Sequence, residues 1–364
     1  MSRDPERLSS SRLIMLSIAG VVVAASCGGN AADTESTTTA GVVTTSTFAA
    51  TTSTVEATTS PADVTATTLD AATSEMTDVV YMTVDGVELL MDVYIPEGEG
   101  PWPVVVAFHG LDSRGKDSED NIPVAEAAAN QGLLVFAPSW IVWDPPPFPF
   151  TIASFEGWIG VTNCAVAFAQ QTAPELGGDP ANTILYGFSA GAGAALIAGV
   201  QPTVAPVDGC ATEASPTPAM GLVLGDGVYF LHNEDFDAAF EADLAAMQDQ
   251  VAALVDPTNW PQGWNAHFNL WVAEEGTNPR ALPDPSDEAG WLALRDPTGS
   301  IRSDLEQLGQ LEDGVISTVA AGELLALRAR EAGFDVTLDS YPGGHTVANK
   351  VTELVGYLKD AATQ

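Results

Sequence analysis

From residue 77 onward the apolar positions follow two alternating rhythms. Short runs of apolar residues bounded by Gly, Pro and Asp read as strands, and between them apolar residues at steps of three and four read as helices. "DVVYMTVDGVELLMDVYIP" predicts a hairpin turning at Asp85-Gly86. "WPVVVAFHG", from Trp102, is continuously apolar, as a strand buried on both faces of a parallel sheet must be. A helix over Val124–Asn130 precedes the strand "LLVFAPSW", and a helix over Val161–Gln171 precedes "GGDPANTILYGFS". Further strands follow in "MGLVLGDGVYF", "HFNLWVAEEG" and "FDVTLDSYPG". Phe236, Phe240, Leu244, Met247, Val251 and Leu254 make one apolar stripe of an amphipathic helix that core packing explains. "STVAAGELLALRAREAG" reads as a helix with Ser317 as N-cap and Gly333 past its end, and "TVANKVTELVGYLKD" as the last helix. Strand and helix in alternation predict an α/β fold, one doubly wound, mostly parallel sheet rather than two domains.

The pattern is absent before residue 76. Arg3, Arg7 and Arg12 precede an apolar run from Leu13 to Ser26, too short to span a membrane comfortably and ordered like an export signal. The run ends in "AASCGGN", which resembles the lipobox of bacterial lipoproteins, although Ala24 stands where leucine is usual. That resemblance implies cleavage before Cys27 and acylation of its thiol, anchoring an exported protein at the outer face of the cytoplasmic membrane, whereas an ordinary secretory signal with an incidental cysteine would leave it secreted. From Asn30 to about Ser74 the chain is almost all Thr, Ser, Ala and Val and has too few large apolar residues for a core, so it reads as a disordered tether. The expected organisation is therefore a signal peptide (1–26), a lipidated cysteine with its linker (27–75) and one folded domain (76–364). Cys164 and Cys210, left over outside the reducing cytoplasm, are expected to form a disulfide.

Composition narrows the partners. With 12 Lys+Arg against 49 Asp+Glu the formal charge is −37. Such a field repels nucleic acid and anionic lipid, and no basic cluster offsets it. The 46% hydrophobic content suffices for a sizeable core. No phosphate loop, H-E-x-x-H or zinc-type cysteine pairing occurs, so no metal or organic cofactor is expected.

One stretch carries chemistry. In "TILYGFSAGAGAAL" an apolar strand runs into Gly187-Phe188-Ser189-Ala190-Gly191 and then into small residues. This is G-x-S-x-G between a strand and a helix, a turn so tight that its glycines read as sterically required. It lifts the serine hydroxyl above the sheet, where a base within hydrogen-bond reach could make it a nucleophile.

With "FHG" after the third strand, "GGDPANTILYGFSAGAG" and "YPGGH" near the end, the chain from residue 77 resembles the α/β-hydrolase fold, in particular secreted carboxylesterases and dienelactone-hydrolase-like proteins. The resemblance implies a Ser-His-Asp triad that cleaves carboxylic esters through an acyl-enzyme. Ser189 is its nucleophile and His345, after the last strand, its base. The oxyanion hole would be the backbone N–H groups of Ala190 and Leu111. The acid divides the cues. "LEDGVIST" offers Asp313 ahead of a helix, "LWVAEEG" offers Glu274 and Glu275 at a strand end, and "LGDGV" offers Asp226. Asp313 is chosen because it keeps the spacing to the helix and on to His345. His109 reads as a structural histidine shaping the oxyanion loop, and His232 and His267 lack a partner pattern. Trp140, Trp143, Phe148, Phe150 and Trp158 follow the fourth strand and are either a hydrophobic wall for an acyl or aryl group or a stiff cover over the core. The expected partner is a small-molecule ester, and the protein is expected to be a monomer. A peptidase of the same fold and a catalytically dead binding module are the competing readings.

Overall fold

A computed structural model describes residues 74–84, 86–110, 115–140, 155–200, 208–227, 229, 256–261, 263–273, 280–281, 303–304, 307, 315–316 and 318–363. Eight strands form the main sheet. They are β1 (Ser74–Val84), β2 (Val87–Ile95), β3 (Trp102–Phe108), β4 (Leu134–Pro138), β5 (Gly178–Phe188), β6 (Gly221–Gly225), β7 (His267–Ala273) and β10 (Asp335–Tyr341). Their spatial order is β1-β2-β4-β3-β5-β6-β7-β10. The hairpin β1-β2 and the β2-β4 pair are antiparallel, and every later neighbour is parallel. The two-residue strands β8 (Arg280–Ala281) and β9 (Val315–Ile316) pair separately.

Helices α1 (Ile122–Ala129), α2 (Phe155–Thr172), α3 (Ala190–Val200), α4 (Thr318–Glu331) and α5 (Val351–Ala362) cover both faces. The strand residues divide between two cores by the period of two that strand geometry imposes. Val104, Val106, Phe108, Leu134, Phe136, Leu222, Leu224, Phe268 and Leu270 point to the side of α2, α3 and α4. Val105, Ala107, Val135, Ile184, Tyr186, Val223 and Trp271 point to the side of α1 and α5. This is why "WPVVVAF" is apolar at successive positions: neither face of the central strands meets water. The fold is the expected α/β one. α5 begins at Val351, later than its sequence pattern suggested, because residues 342–350 form a loop that carries His345.

Cys164 of α2 and Cys210 are bonded as a disulfide, with Cα atoms 5.7 Å apart. The bond fastens a segment laid against β1. Thr83 donates to the Gly209 carbonyl at 2.8 Å and Ala211 donates to the Tyr81 carbonyl at 2.9 Å. Those bonds use backbone groups that an edge strand would otherwise leave open to another chain.

The expected helix over 236–254, the N-cap Ser317, the signal segment with Cys27 and the linker as far as residue 73 lie outside the described residues, whereas Ser74 and Glu75, expected to close the linker, begin β1.

Candidate active site

Ser189 connects β5 to α3 and holds φ at 56°, in the left-handed region. A non-glycine residue there costs on the order of 1–3 kcal/mol, which the surroundings must supply. Part of the restraint is the Ser189 amide, which donates to the Gly225 carbonyl at 2.8 Å. The rest is close packing. A Cβ on Gly187 would lie 2.0 Å from the Gly191 carbonyl oxygen, and one on Gly191 would lie 2.1 Å from that of Phe108. Only glycine fits at these two positions. Gly193 is different, since a Cβ there meets nothing within 4 Å. It is not required by the turn.

Ala190 is the first residue of α3, so its N–H belongs to the first turn, where no intrahelical acceptor exists. Gly110 reaches the other side of the serine: a Cβ on it would be 3.4 Å from the Ser189 Cβ. Leu111, the other expected oxyanion donor, lies outside the described residues.

His345 sits on the loop after β10 with its side chain 19% exposed. Its Nδ1 hydrogen-bonds Oδ2 of Asp226, whose side chain is fully buried. Asp226 is the residue after β6 and holds φ at 46°. Its amide donates to the Trp271 carbonyl at 2.8 Å, and its Oδ1 accepts the Ala273 N–H at 3.2 Å. The imidazole lies on Phe188, the residue before the serine, with ring centroids 4.5 Å apart. Phe188 in turn stacks on Trp271. A histidine with one nitrogen fixed on a buried carboxylate and its face on the nucleophile's strand is oriented as a general base needs to be.

The carboxylate brought to His345 is thus Asp226, which the sequence reading placed behind Asp313. Asp313, Glu274 and Glu275 lie outside the described residues. Sequence spacing pointed to the segment before α4, but β6 lies next to β5, so its end is one strand from the serine. Asp226 in "LGDGV", an acid at a strand end followed by glycine, was the signal that could have found it. Burial pushes the Tyr229 and Tyr341 phenols far up, and the charge of Asp226 adds to both shifts.

The segment before α1 is anchored from below. Lys116 donates from Nζ to Asp92 at 3.0 Å and to Asp117 at 2.9 Å, and pairs with Asp78 at 3.1 Å. Burial alone would lower this ammonium, but its hydrogen bonds to Asp117, Asp92 and Asp78 outweigh that and push it well up. The Lys116 amide donates to Ser139 Oγ at 2.9 Å. Trp140 is fully buried and donates from Nε1 to the His109 carbonyl at 2.9 Å. Trp140 is therefore a strut under the His109-Gly110 turn, not part of a wall. Trp143, Phe148 and Phe150 lie outside the described residues, as does the side chain of Trp158. His109 is buried with Nδ1 2.6 Å from the Gly110 carbonyl, in keeping with a structural role. His267 does have partners: Asp335 at 2.8 Å and Asn269 at 3.2 Å, at the far end of β7 from the serine. His232 lies outside the described residues. Among the described residues no group of His, Cys, Asp and Glu is arranged to hold a metal ion.

An eight-stranded sheet with helices on both faces, a strained serine at the end of β5 and a His–Asp pair at neighbouring strand ends define an α/β-hydrolase fold. The BD-FAE family matches residues 91–221. Among solved structures the chain is similar to a thermophilic esterase of the planctomycete Thermogutta terrifontis, with a TM-score of 0.51 and 19% identity over 80% of this chain and 90% of that one. The butyrate-bound form of that esterase gives 0.52 and 18% over 80% and 92%. The form phosphoramylated by tabun gives 0.51 and 19% over 79% and 92%. No curated protein matches this sequence.

Proposed function

We propose that the protein is a serine hydrolase of carboxylic esters, with Ser189 as nucleophile, His345 as general base and Asp226, in place of Asp313, as the acid. The observation that carries this reading is the hydrogen bond from His345 to buried Asp226 beside the strained elbow at Ser189. Likeness in fold to esterases favours esters over peptides. His345 Nε2 takes the Ser189 proton as Oγ attacks the ester carbonyl, while Asp226 holds the tautomer and stabilises the imidazolium. The Ala190 N–H, with Leu111 as the second donor, receives the oxyanion. Collapse of the tetrahedral intermediate expels the alcohol, which takes the proton from His345. Water then repeats the sequence and releases the acid.

Export with acylation at Cys27, and a tether from Cys27 to the start of β1 that holds the domain off the membrane, complete the proposal. The Cys164–Cys210 disulfide supports an oxidising compartment.

The test is hydrolysis of p-nitrophenyl esters of graded acyl length, starting with the short chains that butyrate binding by the similar esterase suggests. Wild-type protein should turn over at least one ester and be labelled by a fluorophosphonate. Ser189→Ala should abolish both. Retained activity in that variant would remove Ser189 from the mechanism.

A further inference from the structure

We propose that Tyr341 is a positioning residue for the triad, its hydroxyl holding the Asp226 carboxylate in the orientation that His345 requires. The inference rests on the functional reading above.

The Asp226 carboxylate is fully buried, so its lone pairs must be satisfied by the protein. Oδ1 takes the Ala273 N–H, and Oδ2 takes His345 Nδ1 together with the Tyr341 hydroxyl at 3.5 Å. These donors have a common origin. Tyr341 and Ala273 end β10 and β7 and are partners in the parallel ladder, so one pair of strand ends supplies a donor to each carboxylate oxygen. The phenol ring is fixed in its turn, 6% exposed and packed on Trp271 at 4.8 Å between centroids. The Trp271 carbonyl accepts the Asp226 amide. Tyr341 also stands immediately before the loop that carries His345. Without the hydroxyl, the bond to His345 is the one that Oδ2 would keep among the described residues. The carboxylate would then lose a restraint on its orientation. The phenol stays protonated, and so remains a donor, throughout the range in which an esterase works.

A packing role for the ring makes different predictions, and a double-mutant cycle separates the two. Tyr341→Phe keeps the ring and should lower kcat about tenfold, the size expected for one hydrogen bond to a charged group, with KM little changed. Tyr341→Leu, which also removes the ring, should lose about as much turnover as Tyr341→Phe even if it melts lower. In an Asp226→Asn background the Tyr341→Phe change should cost less than about twofold, since no carboxylate remains to be oriented. Normal turnover in Tyr341→Phe with impairment only in Tyr341→Leu would overturn the inference, as would the same fold-loss in both backgrounds. Wild-type protein inert to esters and to a fluorophosphonate would instead overturn the functional reading, and this inference with it.

Discussion

Ser189 and Asp226 both hold left-handed backbone, at φ 56° and 46°, at the ends of the adjacent strands β5 and β6. The Ser189 amide donates to the carbonyl of Gly225, the residue before Asp226. The two strand ends therefore brace each other, and both bend sharply where a side chain must leave the sheet. Residues held in such sparsely populated conformations concentrate at functional sites, because only an over-determined surrounding can keep them there.

Asp226→Asn should lower kcat on the order of ten-thousandfold with KM nearly unchanged, because an amide cannot hold the productive imidazole tautomer. Asp313→Asn, Glu274→Gln and Glu275→Gln should be mild. Steady-state kinetics of the four variants side by side decide the acid, and a crippled Asp313→Asn with a near-normal Asp226→Asn would reverse the assignment.

The glycines of the elbow should separate into two kinds. Gly191→Ala puts a Cβ 2.1 Å from the Phe108 carbonyl oxygen and should lose activity together with several degrees of melting temperature. Gly193→Ala has open space and lies inside α3, where alanine is favoured by about 1 kcal/mol, so it should be active and at least as stable. Thermal melts and ester assays on the two proteins check the contrast.

Lys116 and Asp92 form a buried pair, with side chains 10% and 4% exposed. Removing one partner leaves a buried charge uncompensated, at a cost of about 3–5 kcal/mol. Lys116→Met, which strands the buried Asp92, should show such a loss in denaturant unfolding, whereas Asp92→Ala should lose less because Lys116 keeps Asp117 and Asp78. Values near those of an exposed ion pair, below about 1 kcal/mol, would mean that the cluster is solvated in solution.

The disulfide closes a loop with a sequence separation of 46 residues. In the chain-entropy picture this contributes about 4 kcal/mol. Reduction should therefore lower the melting temperature by on the order of 10 °C. The oxidised domain, with Cys27 removed, should titrate no free thiol when unfolded. Two thiols in that titration would contradict the bond.

The sequence alone determined the layered fold and the serine. Strand residues such as Val104–Phe108 meet apolar layers on both faces, and so they are apolar at every position. Gly187 and Gly191 are demanded by contacts within a few residues and one neighbouring strand. These constraints are local or periodic, and such constraints are written directly into residue order. His345 was legible for a related reason, as the histidine on a Gly-rich loop after the last strand. The acid was not. Asp226 and His345 are 119 residues apart, and they meet only because β6, β7 and β10 are neighbours in the sheet. Linear spacing carries no record of that adjacency, and it favoured Asp313. Trp140 shows the same limit: aromatic clustering left a ligand wall and a cover over the core equally open, and burial with one hydrogen bond to the His109 carbonyl made it a strut. Lys116 gave no sequence signal, because its partners Asp78 and Asp92 come from β1 and β2, and only tertiary packing withdraws Lys116 and Asp92 from the crowd of solvated charges, while Asp78 stays exposed.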